Sequence, residues 1–239
     1  MIHPRLPWPL GLSAALLPLF LFCASPTHAA AKLKFHAVAL GSVRTVLYSV
    51  EGDPAGARPN ETTLHVRPLV VDGKVKEWTT GEVHDVTDRS FTVRRAVRLN
   101  DALPTDHEVH WVWQRGPWLL VDRDSGKITA LHLPDYDPSV SEVSWFRDFA
   151  AYCGLSASGK QLYAVVAQIA ARRPVLSRKL GAWDISDHPT PACAAAVWQR
   201  SPLQVSFSPT GGTPENFDLI GSSAMLVEDG DPGDTGTAN

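Results

Sequence analysis

Hydrophobic and polar residues alternate with a period of two along much of the chain, which is the pattern of β-strands. The clearest example is residues 90–99, SFTVRRAVRL. One face of this stretch would carry Phe91, Val93, Val97 and Leu99. Arg95 is an exception on that face, while Thr92, Arg94 and Arg98 would share the other face. The stretch therefore predicts a half-buried strand.

Short turn signals separate such stretches. They are VDGKV at residues 71–75, DSGKI at 124–128 and SGK at 158–160. Glycine supplies the positive φ that tight hairpin turns require, and Asp or Ser can hydrogen-bond to the turn backbone. Three β-hairpins are predicted. Similar alternation, in residues 43–50 and from Leu203 to Phe207, predicts further strands.

The third hairpin would pair residues 147–153, RDFAAYC, with residues 161–169, QLYAVVAQI. Aromatic and β-branched residues favour strands in both arms. A helix over residues 162–171 also fits by composition, so the strand prediction depends on the preceding turn signal. Residues 172–184 predict one more strand, and a proline-rich link, DHPTPAC, follows at residues 187–193.

The N-terminal segment has the order of a secretory signal peptide. Arg5 precedes an apolar run of about 14 residues that ends at Cys23, and small residues follow. Cleavage after Ala29 would remove residues 1–29 as the signal peptide, and Ala31 offers a second cleavage site that also meets the small-residue requirement. The run is shorter than the roughly 20 residues that span a bilayer, so no stable membrane span is expected after cleavage. The mature protein would be exported to the periplasm or the extracellular medium.

The remainder predicts a single β-rich domain over residues 30–227. Residues 228–239, EDGDPGDTGTAN, carry acids and glycines with no large apolar side chain, and they predict a disordered acidic tail. The formal charge of the whole chain is −3, with basic residues scattered among acids. This pattern argues against nucleic acid as a partner.

Two cysteines, Cys153 and Cys193, would remain in the exported chain. In an oxidising compartment a disulfide is the default expectation. It would close a loop of about 41 residues, which the chain-entropy model converts to roughly 4 kcal/mol of stabilisation. It would also tie the segment from Asp187 onward to the third hairpin.

Residues 118–131, WLLVDRDSGKITAL, and residues 149–168, FAAYCGLSASGKQLYAVVAQ, resemble the inner hairpins of β-propeller blades in exported bacterial proteins. The resemblance is to uncharacterised exported proteins and implies no activity. The predicted fold class is all-β and mainly antiparallel. The sheets would be β-propeller-like or would form a β-sandwich.

Candidate catalytic chemistry is limited to a few polar residues. His84, Asp85 and Asp88 lie in GEVHDVTDRSF, which we interpret as a loop before a strand. A metal-assisted hydrolase could use them with a histidine such as His132. Asp residues at such a place commonly cap turns instead. No metal site and no cofactor are predicted.

Other catalytic motifs are incomplete. His107 and His110 have the spacing H-E-V-H, which differs from the helical H-E-x-x-H zinc motif and is more typical of solvated strand-edge histidines. The segment from Gly154 to Ser158 lacks the second glycine of the G-x-S-x-G nucleophile motif.

Tryptophans are the stronger candidates for recognition. Those in the middle of the chain are Trp111, Trp113, Trp118 and Trp145. Their flat apolar faces stack on sugars, peptides or partner proteins. Because Trp111 and Trp113 would share one face of a strand, core packing is favoured over ligand contact for these two. We expect a non-catalytic binding or scaffold module of the cell envelope, with an unknown envelope component or small ligand as partner. An exported hydrolase that uses His84, Asp85 and Asp88 is the alternative.

Overall fold

The computed structural model describes residues 35–49, 61–169, 171–184 and 191–221, and the backbone of residues 223–226. Contacts divide the chain into Met1–Leu33 and Lys34–Asn239, and every described residue belongs to the second unit. The predicted signal peptide, residues 1–29, and the predicted acidic tail, residues 228–239, lie outside the described residues. In the described part, no helix is long and apolar enough to cross a membrane.

The first sheet has seven strands in the described part of the chain. They are β1 (Val38–Leu40), β2 (Arg44–Leu47), β3 (Thr63–Val71), β4 (Lys74–Thr87), β5 (Ser90–Asn100), β6 (Trp111–Asp122) and β7 (Ile128–Ala130). The order is β1-β3-β4-β5-β6-β7, and β2 pairs with the other half of β3. All these pairs are antiparallel. A parallel bridge between Tyr48 and Trp113 also links the end of β2 to β6.

The second and third sheets each have four described strands. The second contains β8 (Ser144–Phe146), β9 (Phe149–Leu155), β10 (Gln161–Gln168) and β11 (Leu176–Ala182). The third contains β12 (Val197–Arg200), β13 (Leu203–Phe207), β14 (Glu215–Ile220) and β15 (Ser223–Leu226). Both are antiparallel and follow chain order. The predicted all-β, antiparallel class is confirmed.

The three predicted hairpin turns are present. Gly73, Gly126 and Gly159 have φ values of +74°, +64° and +71° at the β3–β4, β6–β7 and β9–β10 connections. The helix considered for residues 162–171 is wrong, because β10 pairs on one side with β9 and on the other with β11. Tertiary pairing on both sides outweighs the helix-compatible composition.

In the β6–β7 turn, the side chain of Asp122 organises the backbone. Its Oδ1 atom accepts hydrogen bonds from the backbone N–H groups of Asp124 and Ser125, at 3.0 and 2.7 Å, and from the Ser125 hydroxyl at 2.8 Å. The hydrogen bonds from Ser125 hold the pKa of Asp122 below its ordinary value, because they favour the charged carboxylate.

The second sheet is covered on both faces, so its small apolar residues are buried whichever way they point. One face packs against the third sheet, in a cluster that includes Ala151, Cys153, Ala164, Val166, Val205, Phe207 and Phe217. The opposite face carries Ala150, Tyr152, Val165 and Ala167, which pack with Trp118, Leu133, Tyr136 and Trp145. Burial raises the pKa of Tyr152, whose hydroxyl donates to the Pro134 carbonyl at 2.7 Å.

The predicted disulfide is present. Cys153 and Cys193 are bonded with their Cα atoms 6.2 Å apart, and both residues are buried. Buried Ser141 supports the same position, because its hydroxyl donates to the Cys153 carbonyl and accepts from the Cys153 N–H, each at 2.9 Å. The disulfide is compatible with export to an oxidising compartment.

In the first sheet, two interpretations of the sequence are wrong, one for β4 and one for β5. The stretch GEVHDV is not a loop, because residues 81–86 belong to β4. The first half of β5 is not half-buried, because Thr92 and Arg94 are as buried as Phe91 and Val93. At the end of the strand, Arg98 is exposed as predicted, but Leu99, predicted on the apolar face, is exposed as well. The face predicted to be polar is covered near Arg94 by the segment that leads into β8, where Glu142 lies beside the Arg94 guanidinium. A single strand does not show whether a second layer covers its polar face.

Candidate functional site

The pairing of β5 with its neighbours is irregular on both sides of Arg94. On β4, Thr80 pairs with Arg94 but the next pair is His84 with Thr92, so residues 81–83 form a bulge opposite Val93. On β6, Trp118 pairs with Arg94 but the next pair is Arg115 with Ala96, which leaves one extra residue. Bulges redirect side chains and are frequent beside functional sites.

A cleft of about 450 Å³ lies at these two irregularities. It is lined by Thr80, Gly81, Glu82, Val83, His84, Arg94, Arg115, Trp118, Glu142, Val143, Ser144 and Trp145. β4, β5 and β6 form one side, and the segment that enters β8 forms the other. The cleft combines aromatic, cationic, anionic and backbone groups within a volume suited to a small ligand.

Three aromatic rings connect the two sides of the cleft. The imidazole of His84 stacks on the indole of Trp145, with the ring centroids 5.8 Å apart. Trp145 meets Trp118 in an edge-to-face arrangement at 5.2 Å. The Nε2–H of His84 donates to the Arg147 carbonyl at 2.7 Å, which requires the proton on Nε2. We call these three residues the aromatic bridge.

The hydrogen bond from His84 reaches an unusual backbone position. Arg147 lies in the tight turn between β8 and β9, where Phe146 pairs with Phe149. Its φ is +51°, in the left-handed region that favours glycine. Asp148, the next turn residue, accepts a hydrogen bond from the Gln168 side chain at 2.7 Å. Arg147 and Asp148 thus form the turn itself, and the arm predicted over residues 147–153 begins only at Phe149.

The two arginines of the cleft have different partners. Arg115 donates to both carboxylate oxygens of Glu61, at 2.9 and 3.1 Å, and to the Tyr48 hydroxyl at 2.5 Å. Arg94 is buried and donates from Nε to the Gly116 carbonyl at 3.2 Å. Its Nη1 lies 3.9 Å from Oε2 of Glu142. Glu61 therefore holds Arg115 bidentately, while Glu142 stands at a longer distance from Arg94.

The structure does not bring His84, Asp85 and Asp88 together. His84 belongs to the aromatic bridge, whereas the exposed Asp85 accepts a hydrogen bond from Arg123 at 2.6 Å. Asp88 is exposed in the turn between β4 and β5. His132 lines a different cleft, of about 280 Å³. Within the described ranges, no group of three or more His, Cys, Asp or Glu residues could hold a metal ion.

The four predicted tryptophans have separate environments. Trp118 and Trp145 line the cleft. Trp113 packs edge-to-face against Trp78 at 5.5 Å, in a buried cluster with Tyr48 and Val66. Trp111 is 45% exposed, and the Arg98 guanidinium lies 4.4 Å from its ring centroid. Of the four predicted tryptophans, Trp118 and Trp145 therefore contribute to the cleft, and Trp111 and Trp113 do not.

His107 and His110 lie in the loop between β5 and β6, before the strand in which we expected them. Nδ1 of His110 donates to Oδ1 of Asp101 at 2.5 Å, and the residue is exposed. This contact links the two ends of the loop. The role of His110 is therefore to stabilise the loop.

Sequence reasoning missed Arg94, Glu82 and Glu142 as site residues. Arg94 was assigned to a polar strand face, and the two glutamates carry no motif. Gly81 was the available signal, because a glycine inside a strand often marks a bulge. Its φ is +73°, so the bulge begins at the residue that best tolerates that conformation.

A second cleft of about 560 Å³ adjoins the first. It is lined by Val43, His65, Arg67, Gly81, Glu82 and Val83. The bulge of β4, residues 81–83, borders both clefts. Arg67 donates to the Gly81 carbonyl at 3.2 Å and so supports the bulge from this second side.

Comparisons with protein-family models, with curated proteins and with solved structures found no match to this chain. Functional inference therefore depends on the cleft itself.

Proposed function

We propose that the chain is an exported, non-catalytic binding module of the cell envelope, and that the cleft at the aromatic bridge is its ligand site. The observation that carries this proposal is the coincidence of the bulges around Arg94 with a cleft lined by two tryptophans and four charged side chains. Small-ligand sites typically join apolar aromatic walls to a few placed polar groups.

The location is supported by two features of the chain. The order of charge, apolar run and small residues in residues 1–29 is that of a signal peptide. The disulfide between Cys153 and Cys193 suits the oxidising compartment that such a peptide would reach. The periplasm or the extracellular medium is therefore the proposed place of action.

Binding is favoured over hydrolysis by the partners of the polar residues. His84 uses its Nε2 proton for the Arg147 carbonyl, and Asp85 is paired with Arg123. A hydrolase that used both residues would have to break both contacts. Stoichiometric metal in the purified protein, together with turnover lost in His84→Ala, would favour the hydrolase alternative instead.

The test is a binding titration of the mature protein, residues 30–239, followed by tryptophan fluorescence. The probes are N-acetylglucosamine oligomers, glucuronate, phenylacetate and short alanine peptides. We expect saturable binding of at least one probe, weakened at least tenfold in Trp145→Ala. Trp111→Ala is the matched control, because Trp111 is exposed outside the cleft.

A second variant keeps the test decisive if Trp145→Ala does not fold. Glu82 is exposed and lines the cleft, so Glu82→Trp adds bulk there without removing a packed side chain. We expect it to weaken the same binding at least tenfold. Equal binding by the wild type and both cleft variants, or no saturable binding of any probe, would contradict the proposal.

A further inference from the structure

The arginines around the cleft are engaged within the protein. The Arg115 side chain is 15% exposed, and Glu61 binds its guanidinium bidentately at 2.9 and 3.1 Å. Arg94 is buried, with 6% of its side chain exposed, and its Nε donates to a backbone carbonyl of β6 among other interactions. Arg67, which lines the second cleft, donates to the carbonyl at the start of the bulge. The positive charges near the cleft are therefore held by protein groups.

The carboxylates of the cleft are more accessible than the arginines. Glu82 lies in the bulge of β4 and is exposed, and its side chain has no hydrogen bond or ion pair within the described part of the chain. On the opposite side of the cleft, 41% of the Glu142 side chain is exposed. The charges that the cleft presents to solvent are therefore mainly negative, and they favour a ligand of opposite sign.

The aromatic lining of the cleft also suits a positive charge. Trp118 and Trp145 line the cleft together with both glutamates. Indole rings attract cations through their quadrupole, and two tryptophans outside the cleft have a guanidinium over the ring, at 5.1 and 4.4 Å. Among the described residues, no cationic group lies over the ring of Trp118 or Trp145. The two indoles of the cleft thus have no cation from the protein itself.

We propose that the cleft binds a small organic cation, in which an ammonium group is attached to an apolar body. The ammonium group lies between Glu82 and Glu142, and the apolar body contacts Trp118 and Trp145. Such a ligand supplies the positive charge that the exposed carboxylates lack, and it leaves the bidentate pair of Arg115 intact. This inference rests on the proposed function and specifies the ligand class of the same cleft.

Two sets of probes test the charge of the ligand while its body is held constant. The first is phenethylamine, phenylacetamide and phenylacetate. The second is trialanine amide with a free, an acetylated or a succinylated amino terminus. We expect the cation of at least one set to bind at least tenfold more tightly than its neutral and anionic relatives. Its affinity should fall as sodium chloride is raised, because salt screens the attraction between exposed charges.

Variants of Glu82 give the sign of the effect. Glu82→Gln removes the carboxylate and should weaken binding of the preferred cation several-fold, whereas Glu82→Lys adds a repelling charge and should weaken it at least tenfold. Both variants should fold, because Glu82 is exposed and has no partner to lose among the described residues. Glu108→Gln is the matched control, because it changes the net charge equally in the exposed loop between β5 and β6. It should leave the affinity within twofold.

The outcomes separate this inference from the proposed function. If a neutral or anionic probe binds as tightly as its cationic relative, and Trp145→Ala abolishes that binding, the cation proposal is wrong while the binding site stands. Equal affinity of the wild type, Glu82→Gln and Glu82→Lys for the cation would also overturn it. If none of the six probes binds but an N-acetylglucosamine oligomer does, the cation proposal is again wrong and the proposed function stands.

Discussion

At the scale of single residues, His84 has the most informative surroundings. It was singled out as one of three residues of a possible metal site, yet its partners are an indole ring and a backbone carbonyl. His84 connects the first sheet to the β8–β9 turn of the second sheet. Asp85, its neighbour in sequence, interacts with Arg123 instead.

Replacing His84 should therefore destabilise the protein more than replacing Asp85. His84→Ala removes a hydrogen bond and an aromatic contact, and we expect a loss of about 1–2 kcal/mol in the free energy of unfolding. Asp85→Ala removes an exposed ion pair and should cost less than about 0.5 kcal/mol. Urea unfolding measures both. Equal losses would show that His84 does not hold the two sheets together.

Asp122 gives a pH-dependent prediction at the same scale. Its pKa is lowered in the folded protein, so its contribution to stability is present above the unfolded value near 3.8 and is lost as the pH falls through the folded pKa. Asp122→Ala should be less stable than the wild type at pH 7. The difference should shrink as urea unfolding is repeated toward pH 2. A difference independent of pH would contradict the assigned hydrogen bonds.

At the scale of elements, the bulge in β4 decides where the cleft forms. A regular β4 would continue its pairing with β5 past Thr80 and would place residues 81–83 in the ladder. The bulge instead directs these residues toward the two clefts. Gly81 makes this possible through its positive φ, since other residues are strained there.

Gly81→Ala tests the bulge. No atom lies within 4 Å of the added Cβ, so the cost comes from the backbone conformation, at about 1–2 kcal/mol. Gly181→Ala is the matched control, because an added Cβ also has open space there and the φ of Gly181 is not positive. Urea unfolding should show the loss for Gly81→Ala and little change for Gly181→Ala. A Gly81→Ala variant as stable as the wild type would mean that the bulge adjusts without strain.

The elements also show how much could be predicted from sequence. The hairpins at Gly73, Gly126 and Gly159 were predictable because turn chemistry and alternation are local properties. Two features were not predictable from the sequence. One is the burial of Arg94, and the other is that Trp118 and Trp145 lie apart from Trp111 and Trp113. They depend on which strand faces meet another sheet, and a single strand does not contain that information.

At the scale of the whole molecule, the second sheet contributes buried residues to two separate core clusters. Its two faces pack against different partners, in clusters with the third sheet and with residues near Trp118. The disulfide belongs to the first of these clusters and joins β9 to Cys193. Cys193 in turn forms an isolated antiparallel bridge with Pro209, in the loop between β13 and β14. The disulfide therefore crosslinks segments that are 40 residues apart.

Removing the disulfide should lower the stability of the mature protein without changing its all-β content. We expect the Cys153→Ala, Cys193→Ala double variant to lose about 2–5 kcal/mol in urea unfolding. Reductant should lower the free energy of unfolding of the wild type by a similar amount and leave that of the double variant unchanged. Thiol titration of the unfolded mature protein should find no free thiol before reduction. Two free thiols would contradict the bond.

The sequence by itself determined the all-β class, the main hairpins and the pairing of the two cysteines, because these follow from local alternation, turn residues and the cysteine count. Only the tertiary structure decided the site. Arg94, Glu142, Trp118 and Trp145 lie on three different strands and a connecting segment, and they meet because two bulges and a second sheet bring them together. Such proximity arises from packing between sheets, which no local pattern encodes.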